Sequence, residues 1–355
     1  MKKQFKKLVI LDKIILSEIQ WKLLRDMAEE VVEYSGLSQK QVEDKLIEEH
    51  GTAKGAVCFS QFAVEHTTEE ELNKRLFRAD AVITCWTNIP DAVLKANPQI
   101  KYIGFWTNLV NHRINLKLAE EMNIVVTSIP DYATIAVSEY VFALLYEMFR
   151  RVAKQAKDTV RGKWLYELLK TAHFVPSIDQ IPYHTLAGKK IGIIGLGRIG
   201  QQVAYLALAY GMEVTYFSPH RKKDWEDKGV KYLPLEEILK SSDIVTIHMS
   251  SYSDEKYNIT KEKISLLKDE AIFINTSAGR LVDEDALIIE AESGRISIAI
   301  DVYRSNPERK RIQNIINKHG EGKNIFTYRG AWLTQESVMR KGDSLIKNIR
   351  EFLEF

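Results

Sequence analysis

Cysteine is nearly missing from this chain: Cys58 and Cys85 are the only two in 355 residues. Two thiols so placed make neither a disulfide framework nor a metal-ligand spacing, and they fit a reducing, cytoplasmic setting. Charge of one sign is missing too. The 50 Lys and Arg stand against 48 Asp and Glu, a net of +2 spread through the chain. Nothing in that balance argues for nucleic acid or a membrane surface as a partner. No apolar run approaches the length of a membrane span. The basic start, Met1 to Lys7, leads into an apolar run from Leu8 to Leu11 that stops at Asp12. That is too short for a signal peptide and reads as a first strand. Internal repeats and low-complexity segments are also absent.

What is present is an α/β alternation with 45% hydrophobic residues, enough for real cores, over a length that suggests about two domains. In the first third, Ser17 to Val31 and Ser38 to His50 read as amphipathic helices. Thr67 to Glu71 reads as a helix start, and Ala81 to Thr84, Ile100 to Phe105 and Val125 to Ser128 as short strands. A long helix is expected from Ile135 to Lys157. The aromatic-rich stretch Trp164 to Leu186 reads as an arm or connector. Further βα units follow to the last helix, Gln335 to Leu353. Such alternation gives doubly wound parallel sheets.

One stretch organises the rest. The β-branched run Ile191, Ile193, Ile194 enters Gly195-Leu196-Gly197-Arg198-Ile199-Gly200 and then the apolar-periodic Val203 to Tyr210. Strand, Gly-x-Gly-x-x-Gly and helix together are the dinucleotide-binding arrangement. Gly195 allows the tight turn, Gly197 lets backbone approach a pyrophosphate, and Gly200 lets the helix pack on the strand. The anion sits at the helix N-terminus. A kinase glycine loop is the rival, but no Val-Ala-Ile-Lys strand or His-Arg-Asp loop follows.

From Leu186 to Tyr303 the pattern closely resembles the D-isomer-specific 2-hydroxyacid dehydrogenases, the phosphoglycerate and glyoxylate reductase group. The resemblance rests on Ala187 to Gly200, Ser242 to His248, Ile274-Asn275-Thr276, Leu281 to Glu284 and Ile300 to Tyr303, with Ile129-Pro130-Asp131 and Ser138-Glu139 at the crossover. It implies two Rossmann-like domains, a discontinuous substrate domain of 1–129 with 332–355 and a nucleotide domain of 130–331, with cofactor and substrate in the cleft. It also implies a homodimer, which the Trp164 to Leu186 arm would help to cover. Ser277 falls in the cofactor loop, and Asp301 matches the residue that holds the nicotinamide carboxamide.

Two departures from the family matter. Ser218 stands where the family usually carries Asp, and His220, Arg221 and Lys222 follow it. A carboxylate there would repel a 2′-phosphate, whereas a hydroxyl with bases nearby favours NADP(H) over NAD(H); a merely solvated basic loop is the plainer alternative. The second departure is in the residues the resemblance implies for catalysis. Ala278 stands at the carboxylate-binding Arg, Asn306 at the Glu and Arg329 at the proton-donating His. Arg329 stays protonated and cannot cycle as acid and base. Small free 2-keto acids are therefore expected to be poor substrates. Arg329 and Arg280 are the candidates to hold an anion or a developing oxyanion, and Tyr328, Tyr303 or His248 to supply a proton. Two readings stay open: an NADPH-dependent reductase with a rebuilt site, acting on an imine, an unsaturated group or a larger carbonyl, or a catalytically inactive dinucleotide-binding sensor or scaffold.

Overall fold

The structure is a computed structural model that describes residues 4–34, 67–108, 110–163, 183–250, 254–277, 279–304 and 309–354. The second expected helix, Ser38 to His50, nearly all of the Trp164 to Leu186 arm, and Cys58 lie outside these residues. The chain divides into two compact units, Met1–Tyr132 with Leu333–Phe355, and Ala133–Trp332.

The first unit is a five-stranded parallel sheet: β1 (Phe5–Ile10), β2 (Ala28–Glu33), β3 (Ala81–Thr84), β4 (Tyr102–Phe105) and β5 (Val125–Thr127), in the order β2-β1-β3-β4-β5. Both faces are covered, as parallel sheets require. Leu8 and Ile10 pack with Leu345, Ile346 and Ile349 of the helix Gln335–Glu354. Val9 and Leu11 face the other way, onto Leu72, Val93 and Leu94. The helix expected over Ser17 to Val31 is instead Glu18–Arg25, opened by a Ser17–Gln20 capping box, and the residues after it turn into β2. Val31 pairs with Leu8 in the ladder. Half-burial of β-branched side chains on a sheet outweighs the helical periodicity read from the same residues.

The second unit is a seven-stranded parallel sheet: β6 (Lys190–Ile194), β7 (Glu213–Phe217), β8 (Lys231–Tyr232), β9 (Ile244–Ile247), β10 (Ile272–Asn275), β11 (Ser297–Ile300) and β12 (Ile325–Phe326). Its order is β12-β11-β10-β9-β6-β7-β8. The chain reverses direction across the sheet at β6, with β7 and β8 on one side and β9 to β12 on the other. The long helix expected from Ile135 to Lys157 is two helices, Thr134–Arg150 and Val152–Val160. Arg151 breaks it by adopting a left-handed backbone, φ 49°. Glu147 stabilises the break: its carbonyl accepts from the Arg151 amide at 2.7 Å and its carboxylate from the Ala153 amide at 3.2 Å. The first helix buries Val141, Leu144, Leu145 and Met148, and the second buries nothing. Among the described residues no helix is long and apolar enough to cross a membrane.

Candidate cofactor and active site

The functional residues of the second unit gather at the carboxyl ends of its strands, where ligands bind in open α/β sheets. β6 runs into Gly195, whose φ of 101° is open to glycine, and a Cβ there would lie 2.8 Å from the His248 backbone. The helix Arg198–Ala209 begins at Gly197 with no side chain capping it. A Cβ on Gly200 would come within 2.0 Å of the Gly195 carbonyl oxygen, so only glycine lets the helix sit this close to the strand. A Cβ on Gly197 would meet nothing within 4 Å. Gly197 and Arg198 are exposed and Ile199 is half-buried. The turn thus presents uncapped backbone to open space, which is what a pyrophosphate needs. These residues fit a dinucleotide.

At the end of β7, Ser218 is buried, His220 and Arg221 are exposed and Lys222 is half-buried. Arg221 is turned onto Glu226: its Nε donates to the carboxylate at 3.0 Å, and its guanidinium stacks 4.9 Å from the Tyr232 ring centre. The Tyr216 hydroxyl also donates to Glu226, at 2.8 Å, and accepts from the Lys222 amide at 2.7 Å. The Arg221 guanidinium and then the Tyr216 hydroxyl hold the Glu226 carboxyl below its usual range. None of this is visible in the sequence, because Glu226 lies a helical turn beyond the basic run.

On the other side of β6, the Ser277 hydroxyl donates to the Met249 carbonyl at 2.6 Å and its amide donates to the Asn275 side-chain oxygen at 3.1 Å. Asp301, at the end of β11, is 1% exposed. Its carboxylate accepts from the Thr327 hydroxyl at 2.6 Å, the Gly330 amide at 2.9 Å and the Ala331 amide at 3.1 Å. Asp301 therefore shapes the turn after β12. Arg329 sits at the tip of that turn, exposed and left-handed at φ 64°. Such a backbone costs a non-glycine residue on the order of 1 kcal/mol, and the two amide bonds to Asp301 offset it.

The other candidates are placed less uniformly. Tyr328 is 88% exposed. The Tyr303 hydroxyl donates to the Ile300 carbonyl at 3.0 Å, and burial, then the Asp301 and Glu284 carboxylates, push its pKa up. His248 bonds Thr246 through Nε2 at 2.9 Å, and burial lowers its pKa to about 3, so the ring is neutral at any physiological pH. Arg280 is exposed on a 3-10 turn, Gly279–Leu281, which follows β10. Arg280 and Arg329 thus stand on turns after strands that β11 separates. Asn306 and Ala278 lie outside the described residues. Sequence reading missed Tyr140, whose hydroxyl hydrogen-bonds Thr327. The one signal was a polar-tipped ring inside the apolar helix run from Val137 to Leu145.

Residues 142–318 match the family model described as D-isomer specific 2-hydroxyacid dehydrogenase, NAD binding domain. A hydroxypyruvate reductase of Blautia hydrogenotrophica is 31% identical over 289 residues, 81% of this chain and 86% of that one. The chain belongs to the D-isomer-specific 2-hydroxyacid dehydrogenase family. A glyoxylate reductase of Korarchaeum cryptofilum is 33% identical over 238 residues, covering 66% of this chain and 69% of that protein. Among solved structures, an acyclic imino acid reductase in complex with NADPH and D-Arg superposes with a TM-score of 0.72 at 25% identity, over 98% of this chain and 97% of that one. Membership in this dehydrogenase family explains the open glycine turn: the cofactor is a nicotinamide dinucleotide.

Proposed function

We propose that this protein is an NADPH-dependent reductase with a rebuilt active site, whose substrate is an imine or a carbonyl on a molecule other than a small free 2-keto acid. The observation that carries the reading is the turn from Thr327 to Ala331. A buried carboxylate on three hydrogen bonds anchors it, and it presents a permanent cation, Arg329, where a proton-cycling group would serve an ordinary keto acid. A guanidinium can hold an anionic substrate group or a developing negative charge, but it does not give up a proton near neutral pH. The bound cofactor supplies hydride. Likeness to an imino acid reductase solved with NADPH makes the C=N bond the first to try.

Preference for the 2′-phosphate rests on Ser218, which adds no charge, and on Arg221 and Lys222. In that reading Arg221 leaves Glu226 when the phosphate arrives. A solvated ion pair of this kind holds it weakly, while a charge-assisted bond to phosphate is stronger.

Fluorescence titration with NADPH and with NADH tests the cofactor assignment, and tighter NADPH binding is expected. Turnover is then measured with a panel of 2-oxo acids, alone and with excess ammonia or methylamine. Amine-dependent oxidation of NADPH supports the reading. Fast turnover of glyoxylate, pyruvate or hydroxypyruvate without amine sinks it, and binding without any turnover returns the protein to a sensor or scaffold.

A further inference from the structure

A rebuilt reductase still needs a proton for the atom that receives the electron pair. Arg329 and Arg280 cannot give one near neutral pH. His248 is neutral and bound to Thr246. The Tyr303 hydroxyl is committed to a backbone carbonyl, and the Tyr328 ring stands out in solvent.

Tyr140 is placed differently. It lies in the second turn of the helix Thr134–Arg150 and is half-buried. Its hydroxyl bonds Thr327. Because Thr327 gives its one hydroxyl proton to the buried Asp301 carboxylate at 2.6 Å, the Tyr140 hydroxyl is the donor in that bond. It reaches a substrate atom by leaving a side-chain acceptor, whereas Tyr303 is held by a backbone carbonyl. The Tyr140 hydroxyl also lies 3.9 Å from where a Cβ on Gly330 would stand, next to Arg329 on the same turn. The sheet order adds direction. The glycine turn at the end of β6 and Ser218 at the end of β7 would hold the pyrophosphate and the adenosine ribose of the cofactor. The Tyr140–Thr327–Asp301 chain stands at the ends of β11 and β12, on the other side of β6 from β7.

We propose that the Tyr140 hydroxyl is the proton donor of the reduction. The inference rests on the reductase reading. A bound nicotinamide dinucleotide would supply hydride to the substrate carbon, and the π pair of the C=O or neutral C=N bond would move onto oxygen or nitrogen. That atom takes the proton from Tyr140, and the phenolate left behind regains one from water. Desolvation, then the nearby Asp301 carboxylate and Tyr328, raise the Tyr140 pKa, so the phenol keeps its proton through neutral pH. Tyr303 is the other titratable group that its charge reaches.

The test is Tyr140→Phe, which removes one oxygen and keeps the ring. With a 2-oxo acid plus ammonia as substrate, kcat should fall on the order of 10²-fold or more, with KM and NADPH affinity within about threefold of wild type. The wild-type profile of kcat should fall on an alkaline limb that Tyr140→Phe lacks. Thr327→Ser, which keeps the hydroxyl bridge, should retain most activity. A variant Tyr140→Phe with near-normal kcat and an unchanged alkaline limb overturns the inference and leaves the reductase standing. If wild type turns over neither panel while binding NADPH, the reductase reading falls and this inference with it.

Discussion

The two units have the same architecture, a parallel sheet with covered faces, yet they treat the carboxyl ends of their strands in opposite ways. In the first unit the turn after β3 gathers the amides of Cys85, Trp86 and Thr87, and all three donate to one oxygen of the buried Asp12, at 2.6, 2.9 and 3.1 Å. The hydroxyls of Thr84 and Thr87 complete the set at 2.6 and 2.7 Å. This is an anion nest filled by the chain's own carboxylate. In the second unit the turn after β6 has uncapped backbone and open space over Gly197. One nest stabilises the fold and the other awaits a ligand. The capacity to bind therefore comes from the turns, since the sheet is common to both.

The largest expected effect is at the filled nest. Asp12→Ala strands several buried donors, each costing about 1–3 kcal/mol. A loss of at least about 3 kcal/mol in urea unfolding of the first unit is expected, with NADPH affinity little changed. A variant that instead lost NADPH binding and kept its stability would dissolve the contrast between the two turns.

Next is Lys341, at the same edge of the first unit and 2% exposed. Its ammonium sits 3.5 Å from the Trp106 ring centre and 4.3 Å from that of Tyr132. Burial, opposed by nearby Cys85, lowers its pKa to about 8 from 10.5. The folded state then binds fewer protons than the unfolded state between those two values. Stability should rise with pH across that window, and the whole penalty is present below pH 8. Its ceiling is about 3 kcal/mol, less what the two aromatic faces return through cation–π attraction. Lys341→Met should remove the slope, as read from urea midpoints at pH 7 and pH 10.

Gly197→Ala sharpens the comparison from the other side. Its Cβ meets no protein atom, so stability should change by no more than about 1 kcal/mol. NADPH affinity should nevertheless fall about tenfold or more, because the methyl group enters the space of the pyrophosphate. Smallest is Arg221→Ala, expected to weaken NADPH about tenfold and leave NADH within about twofold, read from the two titration curves. Equal losses for both cofactors would assign Arg221 to the Glu226 pair alone.

Much of this molecule was legible in the residues. The β-branched runs marked most of the strands, and the glycine spacing marked the turn after β6, with Gly195 and Gly200 where a Cβ would collide. Those signals are local, so periodicity and backbone sterics carry them. The break at Arg151 and the strand Ala28–Glu33 were not legible, since helical periodicity continues through both. Arg221 and Lys222 were visible as a basic run, but the capture of Arg221 by Glu226 was not. Nothing in the sequence singled out Tyr140, because its partner Thr327 lies almost 190 residues later.

The sequence by itself determined two α/β units and a dinucleotide turn, because strand, helix and glycine preferences act over a few residues. Tertiary structure alone decided that Asp12 fills one nest, that Asp301 shapes the turn bearing Arg329, and that the Tyr140 hydroxyl meets that turn. Each of these depends on a buried polar group finding its partner across the fold. The need to satisfy such a group is fixed by its burial, and burial exists only once the sheets have formed.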